Sequence, residues 1–210
     1  MTRRFYRLLA LLALAAAVAL PAGCGSSSGK KKEPAAVGKT SPFQGAVADP
    51  PKPAPPLKLR DSTGKPFDLA GERGNAVLVT FLYVHCPDVC PLITGNLHTA
   101  VEQLGPKANK LKIVAVSTDP RGDTPQAVKK FLAAHQVTGE MRYLLGSKSK
   151  LASVWKSWGI VARPDKSDPE KVEHSAPIYG ISASGKITTL YASNFKPPQI
   201  VHDVPLLATR

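Results

Sequence analysis

Thr80-Phe81-Leu82-Tyr83-Val84-His85-Cys86-Pro87-Asp88-Val89-Cys90 is the stretch around which the chain is organised. It closes an apolar run, Ala76 to Val84, rich in β-branched and aromatic residues without alternation. That pattern belongs to a strand buried on both faces of a parallel sheet. Beyond it, Ile93, Leu97, Ala100, Val101 and Leu104 recur at helical spacing up to a Gly105-Pro106 stop. Cys86 and Cys90 therefore stand where a central strand turns into a helix. Unpaired amides and the positive end of the helix dipole stabilise a thiolate there, so these cysteines are expected to be reactive. Four residues apart on one helical turn, their Cα atoms lie about 6 Å from each other, which suits a disulfide or a soft metal ion. Two inert core cysteines are the bland alternative; Pro87 and Asp88 between them weigh against it.

Working downstream, Leu111 to Ser117 reads as a second buried strand, ending at Thr118-Asp119-Pro120. Thr124 caps a helix that has Pro125 at its first position. Met141 to Leu145 is a third strand. Ser147 caps a helix whose Leu151, Val154, Trp155 and Trp158 form the apolar stripe before Gly159, and the two tryptophans read as core packing. Ala162 to Glu173 reads as a loop, followed by strands at Ile178–Ile181 and Ile187–Tyr191. A last helix starts near Pro197-Pro198, and Pro205 is expected to kink or end it. Upstream, Leu57–Asp61 and Pro66–Leu69 flank a turn and form a hairpin. Strands alternating with helices, then a closing hairpin and helix, describe an α/β protein of the thioredoxin type, with a central mixed sheet flanked by helices. Ligands in such sheets gather at the carboxyl ends of the strands, where Cys86 and Asp119 lie.

The beginning of the chain has another character. Arg3, Arg4 and Arg7 precede an apolar segment, Leu8 to Leu20, too short to span a bilayer comfortably, and Pro21-Ala22-Gly23-Cys24 follows. Residues 1–23 read as an export signal. The small residues before Cys24 resemble a bacterial lipobox, which implies a lipid on Cys24, although Pro21 stands where an aliphatic residue is preferred. Plain secretion is the alternative, and Arg3-Arg4 is a weak sign of twin-arginine export. Residues 24–56, rich in Ser, Lys and Pro, read as a disordered linker, leaving 57–210 as the folded domain. With Cys24 lipidated, the three cysteines of the chain reduce to the single pair. Export favours that pair as a disulfide, so a reductant is needed if it is to bind metal.

The formal charge is +13, of which residues 1–56 supply +6. No Lys/Arg stripe with interleaved aromatics occurs in the domain, so nucleic acid is not an expected partner. Lys30-Lys31-Lys32 would lie against anionic headgroups, at about 1 kcal/mol per charge.

Of the five histidines, His85, His98, His135 and His202 read as strand-end, helix-face or tail residues. His174 stands at a loop-to-strand junction, in the region where thioredoxin-like folds bring a loop beside the strand-helix cysteines. Structural residue and ligand are both open for it.

Residues 76 to 191 resemble the Sco/SenC family of thioredoxin-like copper proteins, at Phe81–Pro91 (FLYVHCPDVCP), Ser117–Pro125 (STDPRGDTP) and Glu173–Ile181 (EHSAPIYGI). The resemblance implies that Cys86, Cys90 and His174 bind copper. It also implies, as recipient, the copper-centre subunit of cytochrome c oxidase, whose dinuclear site known members load or whose thiols they adjust. Two thiolates and an imidazole make a soft, low-coordinate set suited to Cu(I), whereas zinc usually takes a fourth ligand. Glu173, Pro177 and Gly122 depart from the family pattern; the ligand set is intact. The expectation is a membrane-anchored, extracytoplasmic copper metallochaperone supplied by an upstream copper donor or thiol reductant. The alternatives are a thiol-disulfide oxidoreductase acting through Cys86 and Cys90, and a lipid-anchored interaction protein that needs neither cysteine.

Overall fold

The computed structural model describes residues 41–164 and 172–210. The axis of the fold is β4 (Ala76–Leu82), every residue of which is buried. Ten strands, four α-helices and two short 3-10 helices occur among the described residues. Before the axis come β1 (Ala46–Pro53), β2 (Lys58–Asp61) and β3 (Pro66–Asp68). After it come α1 (Val89–Leu104), β5 (Leu111–Ser117), α2 (Pro125–Ala134), β6 (Met141–Leu145) and α3 (Lys148–Trp158). The chain closes with β7 (Ala162–Pro164), β8 (Val172–His174), β9 (Ile178–Ile181), β10 (Lys186–Tyr191) and α4 (Pro197–Ala208).

Eight strands form one mixed sheet in the order β1-β10-β9-β4-β5-β6-β2-β3. β4, β5 and β6 run parallel at its centre, while β9 pairs antiparallel with β4 and β2 antiparallel with β6. Side chains alternate across β4. Leu78 and Leu82 join α1, α2 and α4 on one face through Ile93, Leu97, Val128, Phe131, Ile200 and Val204. Val77, Val79 and Phe81 join Leu151, Trp155 and Trp158 of α3 on the other. Two covered faces explain why β4 reads as an unbroken apolar run. At about 1.5–3 kcal/mol for each large side chain buried, these contacts outweigh any local preference.

The expected caps form. Thr124 Oγ1 accepts the Ala127 N–H at 3.2 Å, Ser147 Oγ accepts that of Lys150 at 3.4 Å, and Gly159 ends α3 in the left-handed region (φ 68°). No helix among the described residues is long and apolar enough to cross a membrane.

Three expectations are corrected. The stretch read as linker as far as Pro56 contains β1, which pairs antiparallel with β10. Pro50 and Pro51 fall in the irregularity between Val47 and Lys52 on this edge strand, where no ladder donor is required. The buried Asp203 carboxylate anchors the entry to the strand, accepting the N–H groups of Gln44 (2.9 Å) and Gly45 (2.8 Å) and the Tyr191 hydroxyl (2.8 Å). Secondly, the stretch read as a loop carries β7 and β8, a two-stranded sheet of its own. Thirdly, α4 continues through Pro205 to Ala208. An interior proline costs a helix about 3 kcal/mol, but burial of Ile200, Val204 and Leu207 at about 1.5–3 kcal/mol each exceeds that.

Candidate metal centre

The site is built at the carboxyl end of β4. There the chain leaves the sheet through a turn in which the Cys86 N–H donates to the Tyr83 carbonyl at 3.3 Å. Asp88 caps α1 by accepting the Val89 N–H. Cys90 therefore falls in the first helical turn, and its N–H donates to Cys86 Sγ at 3.4 Å. Both cysteines are free thiols and buried, Cys90 completely. Two sulfurs at the start of a helix, one of them facing an unpaired amide, are what the C-x3-C spacing and the strand-to-helix turn predict.

Their protonation is asymmetric. The Cys90 thiol donates toward the Cys86 sulfur, and with His174 and the amides of Asp88 and Cys90 it brings Cys86 down to about 4 against an opposing effect of burial. The same hydrogen bond, followed by burial, pushes Cys90 far up. The opposite directions are those of a coupled pair that ionises in two steps, Cys86 before Cys90. Asp88 Oδ1 lies 3.8 Å from Cys86 Sγ.

His174 arrives from the end of β8, far along the chain. Its Nε2 stands 3.8 Å from Cys90 Sγ and its Nδ1 3.2 Å from the Ser175 carbonyl. Without metal a ring N–H of His174 donates toward the Cys86 sulfur; the tautomer in which Nδ1–H donates to the Ser175 carbonyl instead frees the Nε2 lone pair, as a metal ligand requires. The Cys86, Cys90 and His174 ligand atoms all lie within 4.8 Å of one another. Two atoms each about 2.3 Å from a shared ion, the distance of a thiolate from zinc, are at most about 4.6 Å apart. Small side-chain rotations therefore close the group around one ion. No fourth histidine, cysteine or acid joins it among the described residues.

The other histidines have local partners or settings outside this group. His98 meets Glu140 at 3.0 Å, His202 meets Asp203 at 2.7 Å, and His135 packs on Phe131 at 4.5 Å between ring centroids. His85 is exposed beside Gly122, where an added Cβ would stand 2.8 Å from its Nδ1 and closer still to the Asp119 carboxylate. Cys24, with the signal and most of the linker, lies outside the described residues.

Sequence reasoning passed over two residues that hold the site. Asp123 is buried and accepts the Val84 N–H (2.8 Å), the Ser117 hydroxyl (2.6 Å) and the Tyr143 hydroxyl (3.0 Å). It thereby ties the carboxyl end of β4 to β5 and β6. Burial pushes its carboxyl up to about 6 against these three donors. Its place in the Ser117–Pro125 motif was the available signal. The second is Tyr83, whose ring meets the His174 imidazole edge to face.

The SCO1/SenC family model matches residues 46–209. The chain belongs to the SCO1/SenC family. The match begins at β1, in agreement with the folded boundary seen here. A SCO1 protein homolog of Bacillus subtilis is 27% identical over 160 residues, covering 73% of this chain and 82% of the relative. The solved structure of ScoI from Bradyrhizobium japonicum with copper bound is 27% identical, with a TM-score of 0.65 over 73% of this chain and 98% of that one. Apo Sco1 from Thermus thermophilus, also 27% identical, has a TM-score of 0.69 over 79% and 96% of the two chains. The SCO1/SenC architecture, a mixed sheet with helices on both faces, is the thioredoxin-like fold expected from the order of elements.

Proposed function

We propose that this chain binds Cu(I) through Cys86, Cys90 and His174 and passes it to the copper-centre subunit of cytochrome c oxidase during assembly of that enzyme. The observation that carries the reading is the convergence of two sulfurs and one imidazole nitrogen within 4.8 Å. Two soft thiolates with one nitrogen donor suit Cu(I), which accepts low coordination. The copper-bound relative supports the choice of metal. Cys86 meets the ion as a thiolate, and Cys90 gives up its proton as the second sulfur binds. The export pattern of residues 1–23 and the lipobox-like setting of Cys24 support a place on the extracytoplasmic face of a bacterial membrane, held by lipid. There an upstream copper donor, or a reductant acting on the cysteine pair, has to precede transfer.

The test is an anaerobic competition titration against a Cu(I) chelator, run on reduced and on oxidised protein. One Cu(I) per reduced chain and none on the disulfide form is the expected result. Equal uptake by both forms would remove the shared site.

The asymmetry of the two thiols favours thiol-disulfide exchange as a second reading. In that reaction the Cys86 thiolate attacks a partner disulfide and expels one partner sulfur as thiolate. Cys90 then loses its proton and displaces the second, leaving a Cys86–Cys90 disulfide and a reduced partner.

A further inference from the structure

His174 sits at the end of an arm that the main sheet brings near β4 through β9 but does not itself contain. Among the described residues β7 and β8 pair with each other, so the register of the eight-stranded sheet does not set the orientation of the imidazole. Among the described residues, polar contacts join the two strands of the arm, and the Val172 backbone also meets the Tyr83 hydroxyl. Arg163 pairs with Glu173 at 2.6 Å, the Ser175 N–H donates to the Val161 carbonyl at 3.1 Å, and the Val161 N–H donates to Ser175 Oγ at 3.3 Å. Val172 and Ala176 rest partly buried on the core and fix the arm's approach.

What meets the ring is Tyr83. Its side chain is buried, and its ring centroid lies 5.3 Å from that of His174 at an interplanar angle of 84°. The same residue accepts the Cys86 N–H on its carbonyl at 3.3 Å. One residue at the end of β4 thus touches both the cysteine turn and the histidine. An imidazole on a free loop can turn about two side-chain bonds. Here the Tyr83 ring blocks one side and the Nδ1 contact to Ser175 sets the tilt.

We propose that Tyr83 is the positioning residue of the centre: its ring sets His174 so that Nε2 faces the two sulfurs before any metal arrives. The inference rests on the reading of Cys86, Cys90 and His174 as a Cu(I) site, and its first test does not need copper. In reduced, metal-free wild type, nuclear Overhauser contacts should join the Tyr83 ring protons to the carbon-bound protons of His174. Their absence would overturn the proposal even if no variant folds. Tyr83→Phe keeps the ring but loses the hydroxyl that meets the Val172 backbone and the Cys86 sulfur; it should keep the ring-current shift of the His174 protons, whereas Tyr83→Leu should lose both that shift and copper affinity. The affinity loss expected is about tenfold or more, the effect of removing a partner that orients a ligand. In a His174→Ala background, Tyr83→Leu should change Cu(I) affinity by no more than about twofold, because nothing is left to position. An equal loss in both backgrounds would make Tyr83 a packing residue only and overturn the proposal. A protein that shows the ring contact and takes up no Cu(I) would refute the copper reading and leave the Tyr83–His174 contact established.

Discussion

Cu(I) loading should release about one proton per chain at pH 7.5, and the number follows from the unequal thiols. Two ordinary cysteines with pKa near 8.5 are each about 0.9 protonated at that pH, so binding as two thiolates would expel about 1.8 protons. Cys86, brought down to about 4 by the Cys90 thiol and then by His174 and the helix-start amides, is already ionised and contributes almost none. Cys90 holds its proton and contributes one. Affinity should therefore rise about tenfold per pH unit between pH 7.5 and 9, with a slope that stays near one. An ordinary pair would instead lose slope as it ionised through pH 8.5. The sign is that of a released proton: higher pH favours binding. The assay is anaerobic calorimetry in two buffers of different ionisation enthalpy, with Cu(I) supplied as a weak chelator complex whose own protonation is constant in this range. A release near 1.8 protons, or a slope that flattens through pH 8.5, would refute the assignment of the thiolate to Cys86.

Four further outcomes are expected. His174→Ala should lower Cu(I) affinity at least about tenfold, the loss caused by even an outer-shell change; in the same protein iodoacetamide should still label the thiols, and unchanged affinity in a competition titration would remove His174 from the ligand set. At pH 6, with denatured protein as the reference, iodoacetamide should modify Cys86 and spare Cys90, which peptide mass mapping would check; equal labelling would contradict the asymmetry. Asp203→Ala leaves the buried Tyr191 hydroxyl and the Gly45 N–H without their acceptor, at about 1–3 kcal/mol each. Urea unfolding should register a loss of about 2–6 kcal/mol, and a loss below about 0.5 kcal/mol, as for an ordinary surface change, would mean that β1 does not depend on this carboxylate. Cys24→Ser should move the protein from the membrane fraction to the soluble one, since stable anchoring needs more than one acyl chain; an unmodified mature amino terminus beginning elsewhere, seen by mass spectrometry, would end the lipid reading.

The extent of the folded domain affects how each variant is made. A fragment cut at Leu57, where the composition changes, would lack β1 and leave Asp203 and the edge of β10 without partners. The fragment to use begins before Phe43, which is itself buried in the core.

What the sequence determined alone was everything set within a few residues or one helical turn. The unbroken apolar run made β4 a two-sided strand, and Thr124, Ser147 and Gly159 ended or began helices through bonds to their immediate neighbours. The C-x3-C spacing put both sulfurs at the start of α1. The loop-to-strand position and the family motif singled out His174 among the five histidines, but left open whether it was a structural residue or a ligand. Its place beside the sulfurs was decided in three dimensions. Cys90 and His174 are 84 residues apart and meet because β9, which follows the β7–β8 arm, pairs directly with β4. Tertiary structure likewise made a strand of a proline-rich stretch and carried α4 past Pro205, since a distant edge strand and a buried apolar stripe offset what those prolines lose locally. Chain-local hydrogen bonding can be read from neighbours in sequence; long-range burial and strand pairing depend on residues that only the fold brings together.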